Sequence, residues 1–157
     1  MMERDESRVL SKLSERVSEV ALIVLNLMGM QERCMSKRVM VVDDDKEVQE
    51  IVTFVLKRNG IEVIKASNGQ QLQLLLEREQ NALPDLIILD VMMPGIDGYE
   101  LCRRLRSDPR TEHIPIMVIT GRAEGIYQRI SADLGARHMT KPFHPLALLE
   151  QVQKLLE

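Results

Sequence analysis

The sequence predicts an α/β fold: a doubly wound, five-stranded parallel sheet flanked by five helices, with a long N-terminal α-helix added. Three observations lead there. After Ser36, short Val/Ile-rich runs alternate with helical stretches five times in succession. The first, third and fourth of those runs are continuously apolar, as strands covered on both faces are. Before Ser36 lies one helical pattern with no strand in it.

In that first part, Leu10, Leu13, Val17, Val20, Val24 and Leu27 recur at steps of three and four, an a/d seam sustained for about two and a half heptads. Lys12, Glu15, Arg16 and Glu19 fall between them, and Gly29 is the first plausible stop. A lone helix cannot bury such a stripe by itself. Residues 21–30 are apolar on more than one face, which favours a helix buried on several sides, as in a four-helix dimer, over a two-stranded coil. Residues 1–36 are therefore expected to form an amphipathic helix that makes a homodimer, in preference to folding back on residues 37–157. The segment contains no histidine, so it cannot be a phosphohistidine helix.

In the second part, Arg38–Val42 is the first expected strand and Lys46–Arg58 the first helix, closed by Asn59 and Gly60. Residues 61–65 form the second strand and 69–79 the second helix. The third strand, 86–89, follows Pro84 and Asp85, and a helix runs over 99–106. Residues 115–119 make the fourth strand, and the helix at 124–134 stops at Gly135. Arg137–Thr140 is a short fifth strand and Pro145–Leu156 the last helix. Right-handed crossovers wind such units on both faces of one sheet.

Composition narrows the function classes. In 157 residues, 45% are hydrophobic and only 3% aromatic, with no Trp, which argues against a stacking platform for single-stranded nucleic acid. The net charge of −3 offers no footprint for a phosphate backbone, so no nucleic-acid partner is expected; Arg103, Arg104 and Arg106 read as a solvated helix face. The apolar run at 20–25 and its extension are too short to cross a bilayer, which takes about 20 residues, so no membrane partner is expected. Cys34 and Cys102 make no disulfide framework, and a reduced, cytoplasmic setting fits.

The unusual polar residues all fall at the carboxyl ends of strands. Asp43, Asp44 and Asp45 follow the first, Asp90 the third, Thr120 the fourth and Lys141 the fifth. In a parallel sheet those ends share one edge, where ligands bind. Carboxylates converging there repel one another unless a small hard cation such as Mg²⁺ neutralises them. A carboxylate nucleophile, a cation, an ammonium and a hydroxyl are the parts that phosphoryl transfer requires.

These residues resemble a known family. Val41-Val42-Asp43-Asp44-Asp45, the run Leu89-Asp90-Val91-Met92-Met93-Pro94-Gly95-Ile96-Asp97-Gly98, then Ile119-Thr120-Gly121, then Lys141-Pro142-Phe143 look like the receiver domain of two-component response regulators, over roughly residues 37 to 157. The resemblance implies a flavodoxin-like sheet of order 2-1-3-4-5. It implies Asp90 as phosphoacceptor, fed by a histidine kinase or histidine phosphotransfer protein. Asp43 and Asp44 would organise Mg²⁺ together with Asp90 and the backbone carbonyl of Met92. Lys141 would bind the phosphoryl group, with a cis bond to Pro142, and Thr120 would be the switch hydroxyl. Asp45 and Asp97 read as helix N-caps, Gly95 and Gly98 as backbone-shaping, and Phe143 as packing.

One position departs from the family. An aromatic ring usually stands three residues before the Lys-Pro pair, where this chain has His138; its role is either a switch or that of a partly exposed strand-end histidine. In the resembling family, the side chains two residues after the phosphoacceptor and two after the switch hydroxyl help or hinder the attacking water; here Met92 cannot activate it and Arg122 could shield the phosphoryl group, so the resemblance implies slow self-hydrolysis. Two other readings stand beside the signalling module, which is not an enzyme: an Asp-nucleophile phosphohydrolase, and an interaction module that never receives phosphate. With no output domain expected after Glu157, the signal would leave by contact with a downstream protein target.

Overall fold

The computed structural model describes residues 36–157, apart from 80, 81 and 123, together with residues 17 and 19–21. Those last four have helical backbone. Val17 and Val20, two residues of the expected seam, are among them and are exposed. The rest of the expected N-terminal helix, with its other seam residues, its stop at Gly29, its dimer face and Cys34, lies outside the described residues.

Ser36–Glu157 is one compact unit. Its elements run β1 (Arg38–Val42), α1 (Lys46–Arg58), β2 (Glu62–Ala66), α2 (Gly69–Arg78), β3 (Leu86–Asp90), α3 (Gly98–Ser107), β4 (Ile116–Thr120), α4 (Gly125–Asp133), β5 (Arg137–Thr140) and α5 (Pro145–Leu156). The sheet order is β2-β1-β3-β4-β5, with every pairing parallel. The flavodoxin-like order expected from the resemblance is the one found.

The period-2 geometry of strands divides the core into two layers. On one face Met40, Val42, Ile87, Leu89 and Val118 pack with Leu72 and Leu76 of α2 and Leu101, Cys102 and Leu105 of α3. On the other, Val39, Val41, Ile88, Met117 and Ile119 pack with Val52 and Leu56 of α1 and Leu148 and Val152 of α5. Every residue of β3 and β4 is buried, which is why both strands lack polar alternation. Each fully buried Leu or Ile side chain contributes roughly 2 kcal/mol.

Helix ends obey local chemistry. Asp45 accepts from Glu47 N at 2.9 Å and Asp97 from Tyr99 N at 2.9 Å, the N-cap roles their positions suggested. The guanidinium of Arg106, near the end of α3, donates to the carbonyls of Leu134 and Gly135 after α4 and of Glu112 and Ile114 before β4. Arg106 is thus a clamp across the α3 end of the sheet rather than a free surface charge.

Boundaries moved by a residue where backbone bonding decides. Ile61 N donates to Leu56 O, so Ile61 closes the end of α1 and β2 starts at Glu62. Pro115 has no N–H to give the ladder and only accepts from Ile87 N, so β4 starts at Ile116 and reaches Thr120. The peptide bond between Lys141 and Pro142 is cis, as the resemblance implied. Among the described residues no helix is long and apolar enough to cross a membrane.

Candidate functional site

Parallel strands bring their carboxyl ends to one edge, and β1, β3, β4 and the turn after β5 each place polar groups there. Asp43 leaves β1 with only 3% of its surface exposed. Its backbone N–H donates to Ala66 O at 3.1 Å. Gln49, on the buried face of α1, donates to the carbonyls of both Asp43 and Ala66 at 2.7 Å. This fixes the backbone at the mouth of β1, so the Asp43 carboxylate has little choice of direction. One of its oxygens accepts from Asp45 N at 2.9 Å and the other from Lys141 Nζ at 2.8 Å.

Asp90 ends β3 and is 5% exposed. It accepts from Met92 N at 3.1 Å and lies 3.4 Å from Lys141 Nζ. Asp44 is exposed and completes the cluster: Asp43, Asp44 and Asp90 each offer an oxygen within 4.8 Å of the others. Burial pushes the Asp43 carboxyl above the ordinary value; the Lys141 and Asp45 hydrogen bonds pull it down less far, and the charge of Asp90 adds to the rise. Burial opposes the charge on Lys141, but its bonds to Asp43 and Asp90 outweigh that and raise its pKa, so the ammonium is firmly held.

The acids outnumber the ammonium, and all three present oxygen. Crowded, partly buried carboxylates with no nitrogen or sulfur donor among them fit a small hard cation of the Mg²⁺ kind. Met92 lies beside them, half-exposed and bridged to Asp97 in an isolated antiparallel pair.

The loop between Asp90 and α3 requires glycine at two places. A Cβ on Gly98 would stand 2.3 Å from Val91 Cα and 2.7 Å from Asp90 O, so only glycine lets α3 start directly over the end of β3. Gly95 has a φ of 93°, which turns the loop back.

Thr120 ends β4 fully buried. Its hydroxyl accepts from Arg122 N at 3.2 Å, and its carbonyl accepts from Lys141 N at 2.8 Å. Lys141 is thus tied by its backbone to β4 and by its side chain to β1 and β3. His138 stands apart. It pairs with Val118 in the middle of the sheet edge and lines a different cleft, with Gln128 and Ala132 of α4 and Ala147 and Gln151 of α5. Its Nε2 is enclosed without a hydrogen-bond partner among the described residues, and burial lowers its pKa from 6.5.

Beside the carboxylates opens a cleft of about 590 Å³, lined by Asp44, Met92, Tyr99, Arg122 and Tyr127 among others. The rings of Tyr99 and Tyr127 lie parallel, 6.2 Å apart. Arg122 bonds the Tyr127 hydroxyl and its guanidinium stands 5.1 Å over the same ring. Sequence reasoning missed this pair and Gln49. Helical phase could have found Gln49, which shares the buried stripe of Val52, Thr53 and Leu56. Nothing in the chain's local pattern links Tyr99 to Tyr127.

Residues 39–153 match the family described as the response regulator receiver domain. The alkaline phosphatase synthesis transcriptional regulatory protein PhoP of Bacillus subtilis is 37% identical over 123 residues, covering 78% of this chain and 49% of PhoP. The chemotaxis response regulator CheY4 of Vibrio cholerae superimposes with a TM-score of 0.67 at 30% identity, over 76% of this chain and 98% of that one. The BeF3-activated N-terminal receiver domain of Klebsiella pneumoniae RstA gives a TM-score of 0.68 at 30% identity, over 77% of this chain and 99% of that one. The chain spans about half the length of the curated relatives it matches.

Proposed function

The chain belongs to the response regulator receiver domain family, and on that premise we propose that Asp90 accepts a phosphoryl group from a histidine kinase or histidine phosphotransfer protein and passes the signal on by protein contact. The observation that carries this is the meeting of Asp43, Asp44 and Asp90 within 4.8 Å, with Lys141 Nζ reaching both Asp43 and Asp90.

An Asp90 carboxylate oxygen attacks phosphorus, the P–N bond to the donor imidazole breaks, and the imidazole leaves as the acyl phosphate forms. Met92 N, bonded to one oxygen of Asp90, orients the carboxylate and leaves the other to react. Lys141 turns one of its ammonium hydrogens to a phosphoryl oxygen, which it can do without moving its backbone. Thr120 supplies a hydroxyl from the end of β4 and is the proposed switch residue. Asp43, Asp44, Asp90 and the carbonyl of Met92 are the residues that would hold Mg²⁺; when bound, it neutralises charge on the phosphoryl oxygens. A cytoplasmic setting and a downstream protein target belong to the same proposal.

The test is incubation with acetyl phosphate with and without Mg²⁺, read by intact mass. One phosphoryl group per chain is expected with Mg²⁺, and none in Asp90→Asn. An unlabelled wild-type protein overturns the reading. Repeated turnover of a generic phosphatase substrate would instead favour a phosphohydrolase.

A further inference from the structure

Arg122 occupies a crossing point. Two residues after Thr120, its backbone N–H donates to the Thr120 hydroxyl at 3.2 Å. Its side chain leaves that point for α4, where it bonds the Tyr127 hydroxyl and lies over the ring at 5.1 Å. Tyr127 is anchored in turn. Its carbonyl accepts from Ser131 Oγ at 2.9 Å and from the Tyr99 hydroxyl at 3.3 Å. Tyr99 is buried in the first turn of α3, immediately after the glycine that packs on Asp90. A continuous chain of contacts therefore runs from the end of β4 through Arg122 and Tyr127 to the start of α3, along the wall of the cleft that Asp44 also lines.

We infer that Arg122 is parked on Tyr127 and turns to the phosphoryl group when Asp90 carries one, so that Tyr127, on α4, reports the state of the site. This rests on Asp90 being the acceptor. The energetics favour the move. Parked, the exposed guanidinium has one bond to a neutral phenol and a weak contact with its ring, whereas on a phosphoryl group it bonds an anionic oxygen and gains the attraction of opposite charges. Arg122 is exposed, so little packing is lost when its side chain swings. The strand position that carries a ring in the resembling family holds His138 here, in a cleft away from the carboxylates. The rings lining the cleft beside the carboxylates are those of Tyr99 and Tyr127. By linkage, the parking contact also opposes phosphoryl capture, so removing it tightens binding of a phosphoryl mimic.

The chain reads out its own answer. Tyr99 and Tyr127 are its only tyrosines and it has no Trp, so intrinsic emission comes from this stacked pair alone. The experiment is titration of the full chain with beryllofluoride and Mg²⁺, following tyrosine emission and, in parallel, the bound fluoride signal by ¹⁹F NMR. Wild type, Arg122→Ala and Tyr127→Phe are compared at concentrations that saturate each. The expected result is an emission change in wild type that is lost in Arg122→Ala, and beryllofluoride binding about two- to fivefold tighter in Tyr127→Phe, which keeps the ring but loses the hydroxyl bond to Arg122. Bound fluoride with no emission change in wild type overturns the inference and leaves the acceptor role standing, as does an equal change in Arg122→Ala. No bound fluoride in wild type removes the acceptor reading, and this inference with it.

Discussion

The two sides of the sheet's carboxyl edge are built differently. On the β1 and β3 side, Asp43 and Asp90 are almost fully buried, and each has its backbone or carboxylate held by two or more partners. On the β4 and β5 side, Arg122 is exposed and held by one phenol, and His138 keeps an enclosed nitrogen with no partner among the described residues. The first side is preorganised, which suits chemistry whose charges must be met in place. In the second, Arg122 and His138 have few partners beside the tightly held Thr120 and Lys141, which leaves room for the proposed readout. An acceptor and a reporter need opposite properties, and the proposed pair, Asp90 and Arg122, would stand at the ends of neighbouring strands.

That contrast can be broken at several strengths. The largest effect belongs to Gly98→Ala. Its Cβ must displace the backbone of Val91, so a loss of about 3 kcal/mol in a urea melt is expected, with failure to fold as the extreme. A melt like wild type would show that the preorganised side has slack. Asp43→Asn comes next. It should weaken Mg²⁺ binding more than tenfold while raising metal-free stability by about 1 kcal/mol, because burial already disfavours the charged Asp43. Urea melts with and without Mg²⁺ measure both halves, and a destabilised metal-free variant would contradict the crowding argument.

On the other side, Arg122→Ala should shorten the lifetime of the phosphorylated chain about threefold to tenfold, followed by intact mass over time, since a guanidinium on the phosphoryl group excludes water. The smallest effect is that of His138. Its folded pKa lies below the unfolded 6.5, so the folded state binds fewer protons. Stability is therefore full above pH 6.5 and falls as the pH drops through the lower, folded value. His138→Gln should flatten that acid flank in thermal melts at pH 7.5 and 5.5, while labelling of Asp90 stays as in wild type.

Much of the carboxyl edge was legible because topology converts sequence order into position. Once β1, β3, β4 and β5 are parallel neighbours, Asp43, Asp90, Thr120 and Lys141 must gather whatever the loops do. The continuous apolar runs gave β3 and β4 away for the same reason: strands covered on both faces have no polar phase to misread. What stayed hidden depends on pairs brought together across the fold. Gln49 reads as one more helix polar until Asp43 and Ala66 show it two carbonyls to satisfy. The stack of Tyr99 on Tyr127 joins two helices that share no local signal. Arg106 looked like a surface charge beside Arg103 and Arg104 until four carbonyls closed around it.

The bond from Lys141 N to Thr120 O has a bearing on how such a chain can change. It makes one peptide the datum from which both the ammonium and the hydroxyl are measured. The excursion through 121–136 leaves that datum and returns to it, so an error of length or angle accumulated on the way is cancelled on arrival. A mechanic would recognise the arrangement: tolerances are tight between the two reference faces and loose in everything hung between them. Whatever length or angle the segment between them takes, the backbones that carry the ammonium and the hydroxyl stay in register.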